Sequence, residues 1–222
     1  MRKIPRAVFI DAAGTLIKTR ESVGEVYARH AASFGAAIDP KTTQRIFIDV
    51  FTNVTSPFHE DGPSPDDDRE WWQNLVKEIL TKSGAPDIDH AACFDALYAH
   101  YADASAWTLY PDVVPFLTFC KNLTPQPSLG VLSNFDSRLI GILEGLGIRS
   151  DFDSLTISSQ IGASKPHARI FESALATHKV NPADAIHIGD CPNADWQGAK
   201  NAGINVFKLD RPHNSLLDVF PR

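Results

Sequence analysis

Cysteine is scarce and widely spaced in this chain of 222 residues. The three cysteines, Cys93, Cys120 and Cys191, are odd in number and form no Cys-x-x-Cys pair. Disulfide frameworks and zinc sites usually depend on paired, closely spaced cysteines. The sequence therefore disfavours both kinds of site, and we expect a reduced, cytoplasmic setting.

Long apolar runs and an excess of positive charge are also absent. No stretch approaches the roughly 20 apolar residues of a membrane-spanning helix, and residues 1–14 lack the longer apolar stretch and cleavage pattern of a secretory signal. The 27 acidic residues outnumber the 21 lysines and arginines, for a net charge of −6. General binding to nucleic acid or to an anionic membrane favours the opposite balance. We expect neither as a partner, and the sequence leaves the oligomeric state open.

What the chain does have is a series of short apolar runs that alternate with helical patterns. The predicted strands are Arg6–Asp11, Ser128–Ser133, Phe152–Ser158, Ala185–Asp190 and Ile204–Leu209. The last four are separated by single stretches with apolar residues at helical spacing, which is typical of βαβ units and predicts an α/β fold with a parallel sheet. The first run is apolar almost throughout, as in a strand that is buried on both faces.

Residues 17–107 differ from the rest, because they hold several helical patterns and little strand signal. The polar segment His59–Asp68 connects two of these patterns and predicts a loop. We interpret the region as a helical insertion. The predicted α/β core domain then comprises residues 1–16 and 108–222, and the inserted helical domain comprises residues 17–107.

Polar residues stand where the predicted strands end. Asp11 ends the first strand, Ser133 with Asn134 ends the second, and Asp190 ends a later one, with Asp195 five residues further on. Open parallel sheets bind ligands at the carboxyl ends of their strands. We therefore expect these side chains to lie close together.

Taken singly, most of these residues also have a purely structural explanation. Asp195 could cap the helix that follows it, and Lys165, just before Pro166, could be an exposed lysine at a helix start. Asp11 and Asp190 are harder to explain in this way, because each ends an apolar strand where no cap is required. The whole set in this order indicates a ligand site.

The residue types in the set indicate phosphoryl chemistry. A carboxylate can attack phosphorus as a nucleophile when the charge of its target is neutralised. Two or three carboxylates with a backbone carbonyl suit Mg²⁺, which prefers oxygen ligands. A lysine and a hydroxyl can hold the oxygens of the transferring group, where the charge of the transition state is spread.

Four motifs carry a resemblance to a known family. They are, in chain order, DAAGTL (Asp11–Leu16), LSN (Leu132–Asn134), the Lys165-Pro166 pair and GDCPNAD (Gly189–Asp195). Together they resemble the motifs of the haloacid dehalogenase-like hydrolase superfamily, over nearly the whole chain. The resemblance implies a Rossmann-like parallel sheet with helices on both faces and a helical cap inserted after the first strand. It also implies a Mg²⁺-dependent phosphohydrolase that acts on a small phosphorylated metabolite through an aspartyl-phosphate.

The resemblance implies a role at each matching position. Asp11 would be the nucleophile and, with the backbone carbonyl of Ala13, a metal ligand. Asp190 would hold the metal, directly or with Asp195 in support. The groups that would contact the transferring group are Ser133, Asn134 and Lys165, and the lysine would also pair with the nucleophile.

One position departs from the superfamily pattern. Most of its phosphatases have a second aspartate two residues after the nucleophile, as general acid and then general base, and here that position is Ala13. Loss of such a group typically costs about 10²–10⁴-fold in rate. One interpretation is a hydrolase that favours good leaving groups, such as acyl phosphates, or recruits an acid from the cap or the substrate. A second is a catalytically weak or inactive binding or regulatory module.

A third interpretation is carbon chemistry. Phosphonoacetaldehyde hydrolases resemble the first motif, but they need a desolvated cap lysine that forms a Schiff base. The candidates are Lys18, Lys41, Lys77 and Lys82, and nothing in the sequence around them indicates burial. Haloacid dehalogenases usually have an aromatic residue at the position of Ala13 and need no metal, and the retained GDCPNAD segment argues against that chemistry.

Overall fold

A computed structural model describes residues 4–211 and 213–220. Its strands are β1 (Ala7–Ile10), β2 (Ile17–Thr19), β3 (Trp107–Leu109), β4 (Ser128–Ser133), β5 (Ser154–Ile157), β6 (Ala185–Gly189) and β7 (Asn205–Lys208). Five of them form one parallel sheet in the order β5-β4-β1-β6-β7. The predicted α/β fold with a parallel sheet is confirmed, and all five predicted strands lie in that sheet.

Strand β1 is central because both of its faces are apolar. Successive side chains of a strand point to opposite faces, and here Val8 and Ile10 join one buried cluster while Ala7 and Phe9 join the other. The strand pairs with β4 on one side and with β6 on the other. Asp11, which follows the last residue of β1, therefore lies at the middle of the sheet's carboxyl edge.

The helices are α1 (Val23–Ser33), α2 (Pro40–Asn53), α3 (Arg69–Lys82), α4 (His90–His100), α5 (Val113–Lys121), α6 (Arg138–Gly145), α7 (Ser158–Ile161), α8 (Ala168–His178) and α9 (Gly198–Asn201). Helices α5 and α6 contribute to the apolar cluster on one face of the sheet, and α8 and α9 to the cluster on the other. The sheet thus has helices on both faces, as expected. None of the described helices is long and apolar enough to cross a membrane.

Helices α1 to α4 form the cap and pack around a buried cluster of their own. Three of them begin at side chains that accept a hydrogen bond from the first turn: Ser22 before α1, Asp39 before α2 and Asp89 before α4. Such caps satisfy amides that the helix itself leaves unpaired. The four helices match the four helical patterns of the sequence.

Strands β2 and β3 form a two-stranded antiparallel ribbon between the sheet and the cap. The proposed domain division at residues 17 and 107 falls within this ribbon. Ile17 and Trp107, at its two ends, pack in the same cluster as one face of the main sheet. Each strand has only three residues, too few for a period of two to stand out in the sequence.

The polar segment His59–Asp68 is a loop, as predicted, and it docks on the core domain. The amide of His59 donates to the carbonyl of Gly162 at 2.8 Å, and Arg169 returns a bond of 2.7 Å to the carbonyl of His59. Asp67 accepts from the Ser137 amide and from the Ser159 hydroxyl, the latter at 2.6 Å. The cap therefore contacts the core through this loop as well as through the β2–β3 ribbon.

Candidate active site

The carboxyl ends of β1, β4 and β6 bring the predicted residues to one edge of the sheet. Asp11 follows β1, Ser133 ends β4, and Asp190 follows β6. Lys165, from the loop between α7 and α8, reaches into the same place and is only 2% exposed. Its ammonium donates to Asp11 Oδ1 at 2.7 Å, to Asp195 Oδ1 at 2.6 Å and to the carbonyl of Leu132 at 2.9 Å. An exposed helix-start lysine is therefore excluded.

Asn134 holds the backbone of Lys165 in place. The Lys165 amide donates to Asn134 Oδ1 at 2.6 Å, and Asn134 Nδ2 donates to the Lys165 carbonyl at 3.0 Å. The side-chain amide is thus already engaged on both of its polar atoms. The resemblance implies that Asn134 contacts the transferring group, and the backbone of Asn134 would have to make that contact.

Ser133 offers a hydroxyl at the same edge. The residue is buried, and none of the described residues forms a hydrogen bond with its hydroxyl. A hydroxyl can donate one hydrogen bond and accept two. Ser133 can therefore bind an oxygen of a ligand without giving up a bond within the protein.

Three carboxylates form a candidate metal site. Asp11, Asp190 and Asp195 place oxygen atoms within 4.8 Å of one another. Thr15, the threonine of the first motif, donates to Asp190 Oδ1 at 3.2 Å. Asp190 lies close to the backbone of Gly14, and only glycine permits this, because a Cβ at residue 14 would lie 2.4 Å from Asp190 Oδ2.

The loop after β1 adds a free backbone carbonyl. Three amides donate to the carbonyl of Ala12, and none of the described residues donates to that of Ala13. The side chain of Ala12 is buried in the core, while Ala13 is exposed. The donor set of carboxylates and one carbonyl consists of oxygen alone, which fits Mg²⁺.

Asp195 is the most heavily hydrogen-bonded of the three acids. Its Oδ1 accepts from Lys165 Nζ and from His187 Nε2, the latter at 2.8 Å, and its Oδ2 accepts from the Cys191 amide at 2.9 Å. These bonds favour a supporting role in which Asp195 orients the lysine. In the sequence His187 is one residue of an apolar strand, and no signal there indicates its contact with Asp195.

The site carries more negative than positive charge. Burial raises the pKa of the Asp11 carboxyl to about 6 although Lys165 opposes the shift, and burial together with the charge of Asp195 raises the pKa of Asp190. Burial alone would raise the pKa of Asp195, but Lys165 and His187 hold it below the ordinary value. The two carboxylates raise the pKa of Lys165 above the ordinary value despite its burial. A divalent cation would balance the remaining charge.

A cavity of about 410 Å³ lies between this edge of the sheet and the cap. Ala13, Gly14 and Asn134 line its floor, and side chains of α1 to α4 line much of the rest. Pockets of this size hold small-molecule ligands. The methyl group of Ala13 therefore stands where the site meets the cavity.

The four lysines considered for Schiff-base chemistry, Lys18, Lys41, Lys77 and Lys82, are all exposed. A Schiff-base lysine is activated by desolvation, which lowers its pKa. None of these four side chains is desolvated.

Comparison with known proteins is consistent with these motifs. A family model described as haloacid dehalogenase-like hydrolase matches residues 5–203. The haloacid dehalogenase-like hydrolase domain-containing protein 3 of Mus musculus is 34% identical over 89% of this chain and 78% of its own length.

Solved structures of two activities share the fold. A HAD phosphatase from Thermococcus onnurineus is 18% identical, with a TM-score of 0.67 over 96% of this chain and 95% of its own. The L-2-haloacid dehalogenase from Xanthobacter autotrophicus is also 18% identical and also has a TM-score of 0.67, over 93% of this chain and 78% of its own. Equal scores mean that the fold does not choose between phosphorus and carbon chemistry. The length of the family match and the identity to the Mus musculus protein nonetheless place the chain: it belongs to the haloacid dehalogenase-like hydrolases.

Proposed function

We propose that this chain is a Mg²⁺-dependent phosphohydrolase that acts on a small phosphorylated metabolite through an aspartyl-phosphate at Asp11. The observation that carries the proposal is the buried Lys165 ammonium, 2.7 Å from Asp11 Oδ1 at the end of the central strand. A cation in that position keeps the carboxylate ionised and lowers its repulsion toward a phosphoryl oxygen. The unpaired hydroxyl of Ser133 lies at the same edge of the sheet.

Each residue then has a task in the reaction. A carboxylate oxygen of Asp11 attacks phosphorus, and the bond from phosphorus to the leaving-group oxygen breaks, with its electron pair going to the leaving group. Water then attacks the aspartyl-phosphate, releasing inorganic phosphate and restoring the carboxylate. Lys165 and the Ser133 hydroxyl bind oxygens of the transferring group. Mg²⁺, held by Asp11, Asp190 and the Ala13 carbonyl, would supply charge neutralisation when bound.

The leaving group receives no proton at Ala13, because a methyl group cannot donate one. Substrates whose leaving groups need no proton, such as acyl phosphates, therefore suit the site best. The same residue favours a second candidate, a module of this fold that binds its ligand and turns it over weakly or not at all. Carbon chemistry of the Schiff-base type is disfavoured by the exposure of all four lysines.

The test is hydrolysis of acetyl phosphate and p-nitrophenyl phosphate with Mg²⁺ and with EDTA, for the wild type and for Asp11→Asn. We expect turnover that needs both the metal and Asp11. Asp87→Asn is the matched control, because Asp87 is an exposed aspartate of the cap. Acid-quenched wild-type protein should carry the mass of one phosphoryl group on the peptide that contains Asp11.

Turnover that survives in Asp11→Asn, or in EDTA, would contradict the proposed mechanism. Absence of turnover with every substrate, while Mg²⁺ still binds, would favour the binding module. Detection of the phosphorylated peptide distinguishes a mechanism through an aspartyl-phosphate from direct attack of water on the substrate.

A further inference from the structure

We infer that the substrate carries its phosphoryl group on a flat aromatic or similarly apolar body without a second anionic group. The inference rests on the proposed function and names the class of substrate that the same site would take. The observation behind the inference is the cavity above Ala13, because that cavity is the space open to the part of the substrate that bears the transferring group.

Aromatic residues are the largest group on the walls of the cavity. Nine of the twenty residues that line it are aromatic, and they include Tyr27, Phe47, Phe51, Trp72, Phe94 and Trp107. Phe51 stacks against both Phe47 and Trp72, with ring centroids 5.4 and 6.1 Å away. Aromatic walls of this kind favour flat apolar ligands through burial and through offset or edge contacts between rings.

The charged groups on the walls are already engaged within the protein. Arg138 donates from Nε and Nη2 to Asp136 at 2.8 and 2.6 Å, and its guanidinium lies 3.6 Å from the centre of the Tyr98 ring. Lys18, the other cation on the wall, is exposed and places its ammonium 5.2 Å from the centre of the Tyr110 ring. A second phosphate or a carboxylate would therefore have to displace Asp136 from Arg138, or pair with Lys18, whose charge water already screens.

The acceptor oxygens of the two side-chain amides on the walls are also engaged. The Gln44 side chain accepts from the Gly24 amide at 2.9 Å, and both polar atoms of the Asn134 side chain are bonded to the backbone of Lys165. A sugar or a polyol needs several hydrogen-bond partners when it leaves water, and an unpaired hydroxyl is costly to bury. The cavity thus disfavours such substrates.

Among the fully buried side-chain polar atoms of the described residues on the walls, the unpaired one belongs to a tyrosine. The hydroxyl of Tyr101 is buried without a hydrogen-bond partner among the described residues. Burial raises the pKa of Tyr101 and of Tyr27, which keeps both phenols neutral. A neutral acceptor on the apolar body, such as a carbonyl or ring oxygen, would satisfy Tyr101 without bringing a charge into the cavity.

The test compares pairs of substrates that differ in the body and not in the chemistry of the leaving group. Benzoyl phosphate is set against acetyl phosphate, and 2-(2-naphthyl)ethyl phosphate against glycerol 3-phosphate, with Mg²⁺ throughout. We expect kcat/KM to be about 100-fold higher for the aromatic member of each pair, because its ring is buried against the cavity walls and the other member has no ring to bury. Equal rates, or faster turnover of acetyl phosphate and glycerol 3-phosphate, would overturn the inference and leave the proposed function standing.

One variant and its control test whether the cavity determines the preference for an aromatic substrate. Phe51→Ala should lower the ratio of the benzoyl to the acetyl rate about tenfold, since it removes one aromatic wall. Phe51 is 45% exposed, so the substitution spares the buried core. Phe119→Ala is the matched control, because Phe119 is 38% exposed and lies on α5, away from the cavity. A ratio unchanged in Phe51→Ala but lowered in Phe119→Ala would contradict this assignment.

A binding measurement keeps the inference separate from the proposed function. Naphthylmethylphosphonate, which cannot be hydrolysed, and methylphosphonate are titrated into Asp11→Asn protein while tryptophan fluorescence is followed, since Trp72 and Trp107 line the cavity. If no substrate is turned over, the proposed function fails. Tighter binding of the naphthyl compound, by about 100-fold, would still support the apolar cavity, and equal binding would overturn it.

Discussion

The floor and the roof of the cavity between the two domains are chemically opposite. The floor belongs to the sheet edge at the carboxyl ends of β1, β4 and β6, which holds three carboxylates and a buried lysine that donates to two of them, Asp11 and Asp195. The roof, formed largely by cap helices, is rich in aromatic side chains, and the two cations on the walls, Arg138 and Lys18, contact the rings of Tyr98 and Tyr110. A charged floor can handle a group that many substrates share, and an apolar roof can select the body that carries it. Under the proposed function, the sheet edge performs the chemistry and the cap helices recognise the substrate.

The largest effect is expected from removing the cation of the floor. Lys165→Met should lower kcat/KM for acetyl phosphate by about 10³-fold, because a preorganised charge at the reacting group is lost. It should also lower the free energy of unfolding by about 3–5 kcal/mol, since Asp11 and Asp195 lose their buried partner. Enzyme assays and urea denaturation measure the two effects. Lys77→Met, at an exposed cap lysine, is the control and should change neither.

The charge imbalance of the floor predicts a pH dependence of stability in metal-free protein. The pKa of Asp11 is about 6 in the folded chain against an ordinary value of 3.8, so the folded state holds that proton more tightly. Stability that depends on this proton is present below pH 3.8 and is lost as the pH rises to about 6. Asn cannot titrate, so Asp11→Asn should gain stability relative to the wild type across this window, by at most about 3 kcal/mol.

Denaturation in EDTA over this pH range measures that difference. Mg²⁺ should reduce it, because the cation compensates the ionised carboxylate. Asp87→Asn should follow the wild type at every pH. A difference between Asp11→Asn and the wild type that does not vary with pH would show that the charge of Asp11 is already balanced in metal-free protein.

Restoring an acid at the boundary of floor and roof sharpens the comparison. Ala13→Asp should raise hydrolysis of alkyl phosphates by about 100-fold, because a general acid can protonate the poor leaving group. Acyl phosphates should gain much less, since their leaving groups need no proton. Rates on both substrate types, beside the control Ala37→Asp at an exposed cap residue, provide the measurement. Equal gains on both types would count against an acid role at this position.

The smallest effect concerns how the roof is held over the floor. Asp67→Asn weakens the bonds from Ser137 and Ser159 that dock the loop His59–Asp68 on the core. We expect a loss of about 1–2 kcal/mol in local stability and roughly tenfold faster cleavage of this loop in limited proteolysis. Asp61→Asn, an exposed aspartate of the same loop, should be cleaved at the wild-type rate. Unchanged cleavage of both variants would show that the bonds of His59 with Gly162 and Arg169 hold the loop without Asp67.

The sequence predicted those elements in which local pattern and tertiary role agree. The strand Ser128–Ser133 matches its predicted bounds, and the helices of the cap begin at recognisable capping residues such as Ser22 and Asp39. Helix α5 was not predicted, because its sequence VVPFLTFCK is apolar along most of its length and shows no clear helical period. The strands of the ribbon were too short to be recognised.

By itself, then, the sequence determined the parallel sheet, the helical insertion and the positions of Asp11, Ser133 and Asp190. These follow from the order of strands, since strands of a parallel sheet all end at one edge. Only the tertiary structure decided the partners across that edge: Thr15 on Asp190, His187 on Asp195, and the Asn134 amide on the backbone of Lys165. Only the packing of the cap over the sheet revealed an aromatic cavity at Ala13. Contacts between residues far apart in the chain have no local pattern, because they depend on distances that arise only when the chain folds.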